Sequence, residues 1–192
     1  MSKEQEFLND IASKDSCGFL EGVSNWNNHR PLLYLALELT KQEGTQDVLE
    51  LGCGSGSTPY LHCYCENTNR ELTSFDNNQE WVDKFLGFLS DTHKFTSSDV
   101  PVLPESVSVC LVDHAPGEQR YLDVKTLADK ASILVIHDSE PEATGYMMDR
   151  IWHLFKYRIN VKTSGAWATM VSNVYDVTKY DGCLIKDFLL EV

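Results

Sequence analysis

Val48-Leu49-Glu50-Leu51-Gly52-Cys53-Gly54-Ser55-Gly56 is the stretch from which the rest of this 192-residue chain is read. A short apolar run that closes on alternating glycines predicts a buried strand stopping in a tight turn, with residues 58–65 continuing as a helix. Gly52, Gly54 and Gly56 carry no Cβ, so backbone amides there can approach a ligand closely. Glycines also make plain tight turns, and the surroundings decide between the two.

Downstream, residues 72–75 read as a second strand that ends at Asp76. From that position a carboxylate can accept hydrogen bonds from both hydroxyls of a ribose, as in dinucleotide-binding folds. Asp76 also suits a helix N-cap, and the two roles are compatible. Residues 81–89 place Trp81, Phe85, Phe88 and Leu89 at helical spacing with one face inward. A weaker strand follows over 93–96, a clear one over 107–112, a helix over 120–130 and a doubly buried strand over 133–136. Short apolar strands separated by helices predict a parallel sheet covered on both faces. The end differs: after a helix over 146–155, residues 157–161 and 169–175 read as an antiparallel hairpin. Upstream, Pro31 opens an apolar helix over 32–39 that ends near Gly44.

The acid before the glycines selects the ligand. A pyrophosphate in the loop would be opposed by Glu50, whereas a ligand with a cationic amine and a sulfonium is favoured by it. This points to S-adenosylmethionine over NAD. The nine residues 48–56 resemble motif I of class I S-adenosylmethionine-dependent methyltransferases, and Asp76 sits where that family has its ribose-binding acid. The similarity extends from about residue 25 to the terminal hairpin. It implies an α/β, Rossmann-like, doubly wound and mostly parallel seven-stranded sheet with an antiparallel last strand and helices on both faces. Asp99, in Ser97-Ser98-Asp99, would correspond to the family's adenine-amine acceptor, or is a surface turn acid.

Chemistry concentrates at two strand ends. Asp113-His114 follows one buried strand and His137-Asp138 the next, so both pairs should emerge at the sheet edge that carries the glycine loop. Methyl transfer is an in-line displacement that needs alignment and the removal of one proton, by a base or by a metal that acidifies a hydroxyl. Asp113, His114, His137 and Asp138 are the candidate catalytic residues. The pattern is similar to metal-dependent small-molecule O-methyltransferases, which implies Mg²⁺ or another divalent cation on Asp113 and Asp138. Ser139 stands where that family often has an amide, and the histidines equally suit a softer metal or a metal-free base.

Asn25-Trp26-Asn27-Asn28-His29-Arg30 is dense in hydrogen-bonding groups. It either closes over the cofactor carboxylate or the substrate, with Asn28 in contact and Arg30 as anion partner, or it is a capping loop with Trp26 as a core anchor. Residues 116–120 border the substrate site or simply start a helix. Tyr146, Trp152 and Trp167 line an acceptor pocket, or belong to the core or to a homo-oligomer interface.

Length fits one domain, with residues 1–44 as a helical cap and 45–192 as the core. The net charge of −13, from 29 acidic and 16 basic residues, disfavours nucleic acid and anionic membrane surfaces as partners and leaves a small-molecule acceptor. No apolar run reaches the roughly 20 residues of a membrane span, and a polar start gives a cytoplasmic expectation. The six cysteines are irregularly spaced and read as reduced thiols, and Cys63-Tyr64-Cys65 has no partner pair for zinc. Three alternatives remain: an NAD-dependent oxidoreductase, a non-catalytic cofactor-binding subunit serving a partner, and a metal-dependent hydrolase or hydroxylase.

Overall fold

The computed structural model describes residues 1–24, 26–42, 47–141, 146–162 and 165–183. Gly44, the expected end of the first buried helix, lies outside them. Helix α1 (Lys3–Ala12) is capped by Ser2, whose hydroxyl accepts from the Gln5 amide, and it buries Leu8 and Ile11. Helix α2 (His29–Leu39) is buried along residues 29–37, all round, as expected of a helix that lies inside a core rather than on it.

The strands are β1 (Val48–Leu51), β2 (Leu72–Asp76), β3 (His93–Ser97), β4 (Val107–Val112), β5 (Ala131–His137), β6 (Tyr157–Lys162) and β7 (Trp167–Ser172). They form one seven-stranded sheet in the order β3-β2-β1-β4-β5-β7-β6. The first five pair in parallel, and β7 runs antiparallel to both of its neighbours. From β1 the chain winds outward through β2 and β3, then returns to start β4 on the other side. The crevice at the carboxyl ends of β1 and β4 is therefore the topological switch point, where open sheets of this kind hold ligands.

Alternate strand residues divide the core in two. Val48, Leu72, Val109, Leu111, Ile133 and Val135 face α1, α2 and α3 (Thr58–Thr68). Leu49, Leu51, Phe75, Cys110, Val112, Leu134 and Ile136 face the opposite side, with Val124 and Leu127 of the helix Gly117–Leu127. This is the α/β, doubly wound architecture expected from the sequence.

Three local expectations need correction. Helix α4 (Gln79–Asp83) is one short turn followed by a 3-10 turn at Leu86–Phe88, and Trp81 and Leu89 are exposed. The helix expected over 146–155 is a pair of 3-10 turns, Met148–Arg150 and Trp152–Leu154. Left-handed Met147, at φ 52°, sits before the first, and Ile151, at φ −119° and ψ −10°, lies between them. The thiols are not all reduced: Cys17 and Cys63 form a disulfide, because the loop after α1 crosses α3 with their Cα atoms 5.8 Å apart. Cys53, Cys65, Cys110 and Cys183 are free.

Candidate active site

Gly52 turns the chain out of β1 with φ +101°. A Cβ at this position would lie 2.6 Å from the backbone carbon and oxygen of Asp113 and 2.7 Å from the His114 nitrogen. Only glycine lets the ends of β1 and β4 lie against each other. The Gly52 amide donates to Phe75 O at 2.8 Å and the Asp113 amide to Leu51 O at 2.7 Å, so three strand ends are tied together. Gly54 has ordinary room, while Gly56 lies under the segment that precedes α2: a Cβ there would be 3.4 Å from Asn27 Cβ and 3.6 Å from His29 Cε1.

The acids of this half brace the loop. Glu50 is fully buried, and its carboxylate accepts from Ser57 Oγ at 2.6 Å, from Thr58 Oγ1 at 3.0 Å on both oxygens, and from Ser74 Oγ. Burial pushes its pKa up to about 7, against the opposing pull of the Ser57, Ser74 and Thr58 hydrogen bonds. Asp76 accepts from the Cys53 amide at 3.1 Å through one oxygen and from the Asn78 amide at 2.9 Å through the other. Asp99 stands exposed just past β3. Beside the loop, Cys53, Val82 and Phe85 form a small apolar cluster with Phe88 and Phe95, and the Trp81 indole N–H donates to the Cys53 carbonyl.

The ends of β4 and β5 build the second half. Val112 pairs with Ile136, so the next residues, Asp113 and His137, stand side by side. Both continue the set of residues that faces α2. Nδ1 of His137 is 3.2 Å from Asp113 Oδ1. The N-terminus of α2 adds His29, whose ring meets that of His137 edge-on at 4.6 Å. Burial would raise the Asp113 pKa, but the His137 hydrogen bond and charge, with His29 and Arg120, hold it below the ordinary carboxylate value. Burial would lower that of His137, and Asp113 and Asp138 outweigh it and raise it. For His29, burial and then the charge of His137 bring the pKa down to about 4.

Of their neighbours, His114 leaves on the other side, while Asp138 bends back to put one oxygen 3.5 Å from His137 Nδ1. His114 is 2% exposed, and its Nε2 lies 2.9 Å from Asp123 Oδ2 on α5 (Gly117–Leu127). It is a core histidine rather than a member of the cluster, since successive residues leaving a strand point to opposite faces. Asp138 adopts φ 52°, and one oxygen lies 3.6 Å from an Arg120 nitrogen. Buried Arg120 also donates from Nε to His114 O at 2.9 Å and from a terminal nitrogen to His137 O at 2.8 Å, reaches Asp113 Oδ1 at 3.4 Å, and stacks on Tyr146 at 4.3 Å. With that guanidinium beside Asp138 and the Ser139 hydroxyl 2.7 Å from Thr169 Oγ1, Asp138 and Ser139 do not complete the oxygen-rich magnesium set implied by the resemblance.

No family model and no curated protein matches the chain by sequence. Solved structures do match it by shape. A putative O-methyltransferase from Klebsiella pneumoniae has a TM-score of 0.56 at 8% identity, covering 91% of each chain. The O-methyltransferase TomG from Streptomyces achromogenes, solved with SAM, gives 0.53 at 11%, covering 90% of each. A human methyltransferase 10 domain containing protein gives 0.53 at 12%, over 76% of this chain and 80% of that one. The chain has the class I methyltransferase fold.

In this class I methyltransferase fold, the glycine loop, Glu50 and Asp76 occupy the first strand ends, as the sequence predicts. Asn28 is buried and donates to Ala166 O at 2.5 Å, which ties the segment before α2 to the start of β7. Arg30 is buried, donates from one terminal nitrogen to Glu21 O and stacks over Tyr60 at 4.3 Å, while its Nε and other terminal nitrogen have no hydrogen-bond partner among the described residues. Trp26 is 80% exposed and anchors no core. Trp152 packs on the core face opposite α2, and Trp167 lies half-buried under Lys162. Sequence reasoning did not single out His29 or the clamping role of Arg120. His29 was legible only as one polar residue of residues 25–30.

Proposed function

We propose that this chain is an S-adenosylmethionine-dependent methyltransferase that methylates an oxygen of a small-molecule acceptor. The reading rests on one observation above the rest: His137 holds Nδ1 3.2 Å from Asp113 while its Nε2, buried, has no hydrogen-bond partner among the described residues. With Nδ1–H donated to Asp113, Nε2 presents a lone pair, and Asp113 fixes the tautomer and supports the imidazolium that forms. This is the proton acceptor that a hydroxyl needs as it attacks an already activated methyl group.

The other half supports the cofactor. Buried Glu50, ionised as pH rises past its pKa of about 7, sets a negative field behind the loop, favourable to a sulfonium and unfavourable to pyrophosphate. Asp76 lies at the end of β2, in reach of a ribose, and the apolar cluster around Phe85 offers a flat ring a dry wall. TomG was solved with SAM, and the cofactor assigned here follows that likeness. The net charge of −13 supports a small acceptor over nucleic acid. No described helix is long and apolar enough to cross a membrane.

Calorimetry on the purified chain tests the cofactor: S-adenosylhomocysteine binds and NAD does not. The reverse result removes the proposal. His137→Ala that leaves methyl transfer intact would remove the base assigned here.

A further inference from the structure

We infer that His29, Asp113 and His137 form a binding site for one divalent transition-metal ion. One donor atom from each of the three lies within 4.8 Å of a donor from each of the others. Bonds of about 2.0–2.1 Å place tetrahedral ligands about 3.3 Å apart, so the three side chains need close by at most about 1.5 Å to hold an ion. Two imidazoles and one carboxylate are the donor set of catalytic zinc and of non-haem iron sites, and it differs from the all-oxygen set that magnesium takes.

The argument turns on unused nitrogens. Both ring nitrogens of His29 and Nε2 of His137 are buried without a hydrogen-bond partner among the described residues. The Gly56 backbone lies close enough to His29 to act weakly on its proton affinity, but outside hydrogen-bond geometry. His29 is 2% exposed and His137 5%, so water has little access to either ring. Buried imidazole nitrogens are normally satisfied, and those left over call for an ion, a water or a ligand. Asp113 lies beside them, its Oδ1 3.2 Å from the other nitrogen of His137, and the edge-on ring contact at 4.6 Å brings the two imidazoles to one place.

The surroundings already hold the site in place. Asp113 is fixed through its amide to Leu51 O, and His137 through its carbonyl to Arg120. His29 starts α2, which packs over β4, β5 and β7. With three protein donors the ion keeps a coordination position open, as in catalytic rather than structural zinc sites. The inference concerns what the cluster binds, and it stands whether or not the chain transfers methyl groups. In one molecule the His137 lone pair serves either the ion or the proton, so metal-loaded and metal-free enzyme are distinguishable states.

The test uses the full chain without an affinity tag, stripped with a chelator. Titration with Zn²⁺ by calorimetry, and with Co²⁺ by absorption, should show one ion per chain, visible bands of a low-coordinate nitrogen and oxygen site, and a raised melting temperature. His29→Ala and His137→Ala should each weaken binding at least a hundredfold, with folding checked by circular dichroism, while His153→Ala, on an exposed histidine, leaves it unchanged. If a variant fails to fold, an anomalous difference map at the zinc edge from wild-type crystals decides, with a peak expected among the three residues. A peak elsewhere, no saturable binding, a thiolate-to-cobalt charge-transfer band, or full affinity in folded His29→Ala would each overturn the inference. S-Adenosylhomocysteine is titrated on the same sample: zinc without it removes the proposed reaction and leaves the metal site, and the opposite result removes the metal site alone.

Discussion

The two halves of the carboxyl edge are built on opposite plans. Around β1 and β2, Glu50 takes hydrogen bonds from three hydroxyls and Asp76 from two amides, so both acids are held by the protein while Asp76 keeps a further lone pair on each oxygen. Around β4 and β5, the ring nitrogens of His29 and one of His137 are buried and unused among the described residues. A satisfied half is a cradle that holds its shape whether or not a ligand is present. An unsatisfied half carries a desolvation penalty that a proton, an ion or a substrate relieves, and this is the half in which chemistry is expected.

Gly52 is the seam between the halves, and breaking it should have the largest effect. Gly52→Ala would combine strain at φ +101° with a Cβ 2.6 Å from the Asp113 backbone, where no flexible side chain can yield. A loss of about 3–5 kcal/mol in unfolding free energy follows from strain and overpacking together. Denaturant melts should show that loss, and calorimetry should show no S-adenosylhomocysteine binding. Near-normal stability would mean that the ends of β1 and β4 move independently.

Next in size is His137→Ala, which removes the base from the unsatisfied half and leaves the cradle. Methyl transfer should fall by about 10²- to 10⁴-fold, the usual contribution of a positioned base. Binding of S-adenosylhomocysteine should stay within about twofold, because the variant deletes no group at the glycine loop and a twofold change is under about 0.5 kcal/mol. A parallel loss of cofactor affinity would erase the distinction between the halves.

These halves also differ in how much of them the sequence discloses. Glu50, Gly52 and Asp76 lie in two short runs, each strand followed by its own acid or glycine, so local pattern suffices. For β4 and β5 the pattern reveals the strand ends but not the faces. A strict two-residue alternation from Val109 and Ile133 would have separated Asp113 and His137 from His114 in advance, but not shown that Asp138, at φ 52°, returns to within 3.5 Å of His137. His29 had no such route. Its place depends on where α2 crosses the sheet, which is decided by packing among residues far apart in sequence. Arg120 is similar: a helix start after residues 116–117 is readable, but a guanidinium holding His114 O, His137 O and two carboxylates is not. The failed helix over 146–155 marks the limit of periodicity, since Met148, Ile151, Trp152 and Phe155 keep their apolar contacts from 3-10 turns.

A smaller effect isolates the cradle by pH. Folding raises the Glu50 pKa from 4.5 to about 7, so between those values the folded chain binds a proton that the unfolded chain releases. Its contribution to stability therefore falls as pH rises through that window, by at most about 3 kcal/mol, and is constant above it. Glu50→Gln should remove this slope. The difference in unfolding free energy between wild type and variant, measured from pH 4.5 to 8, should change with pH, and a flat difference would place the proton elsewhere.

The smallest effect asks how far the cradle extends. Asp99 is exposed past β3, and a solvent-exposed acceptor is near full hydration before a ligand arrives, so it gains little by exchanging water for an adenine amine. Asp99→Asn should leave the melting temperature unchanged, since exposed substitutions shift stability by less than about 0.5 kcal/mol. It should weaken S-adenosylhomocysteine by roughly three- to tenfold, the value of one net hydrogen bond. Unchanged affinity would end the cradle at Asp76 and the Phe85 cluster, leaving the adenine held by apolar contact alone. The satisfied half would then owe its selectivity to the charge behind the loop and the acid at β2, the two features that local sequence makes plainest.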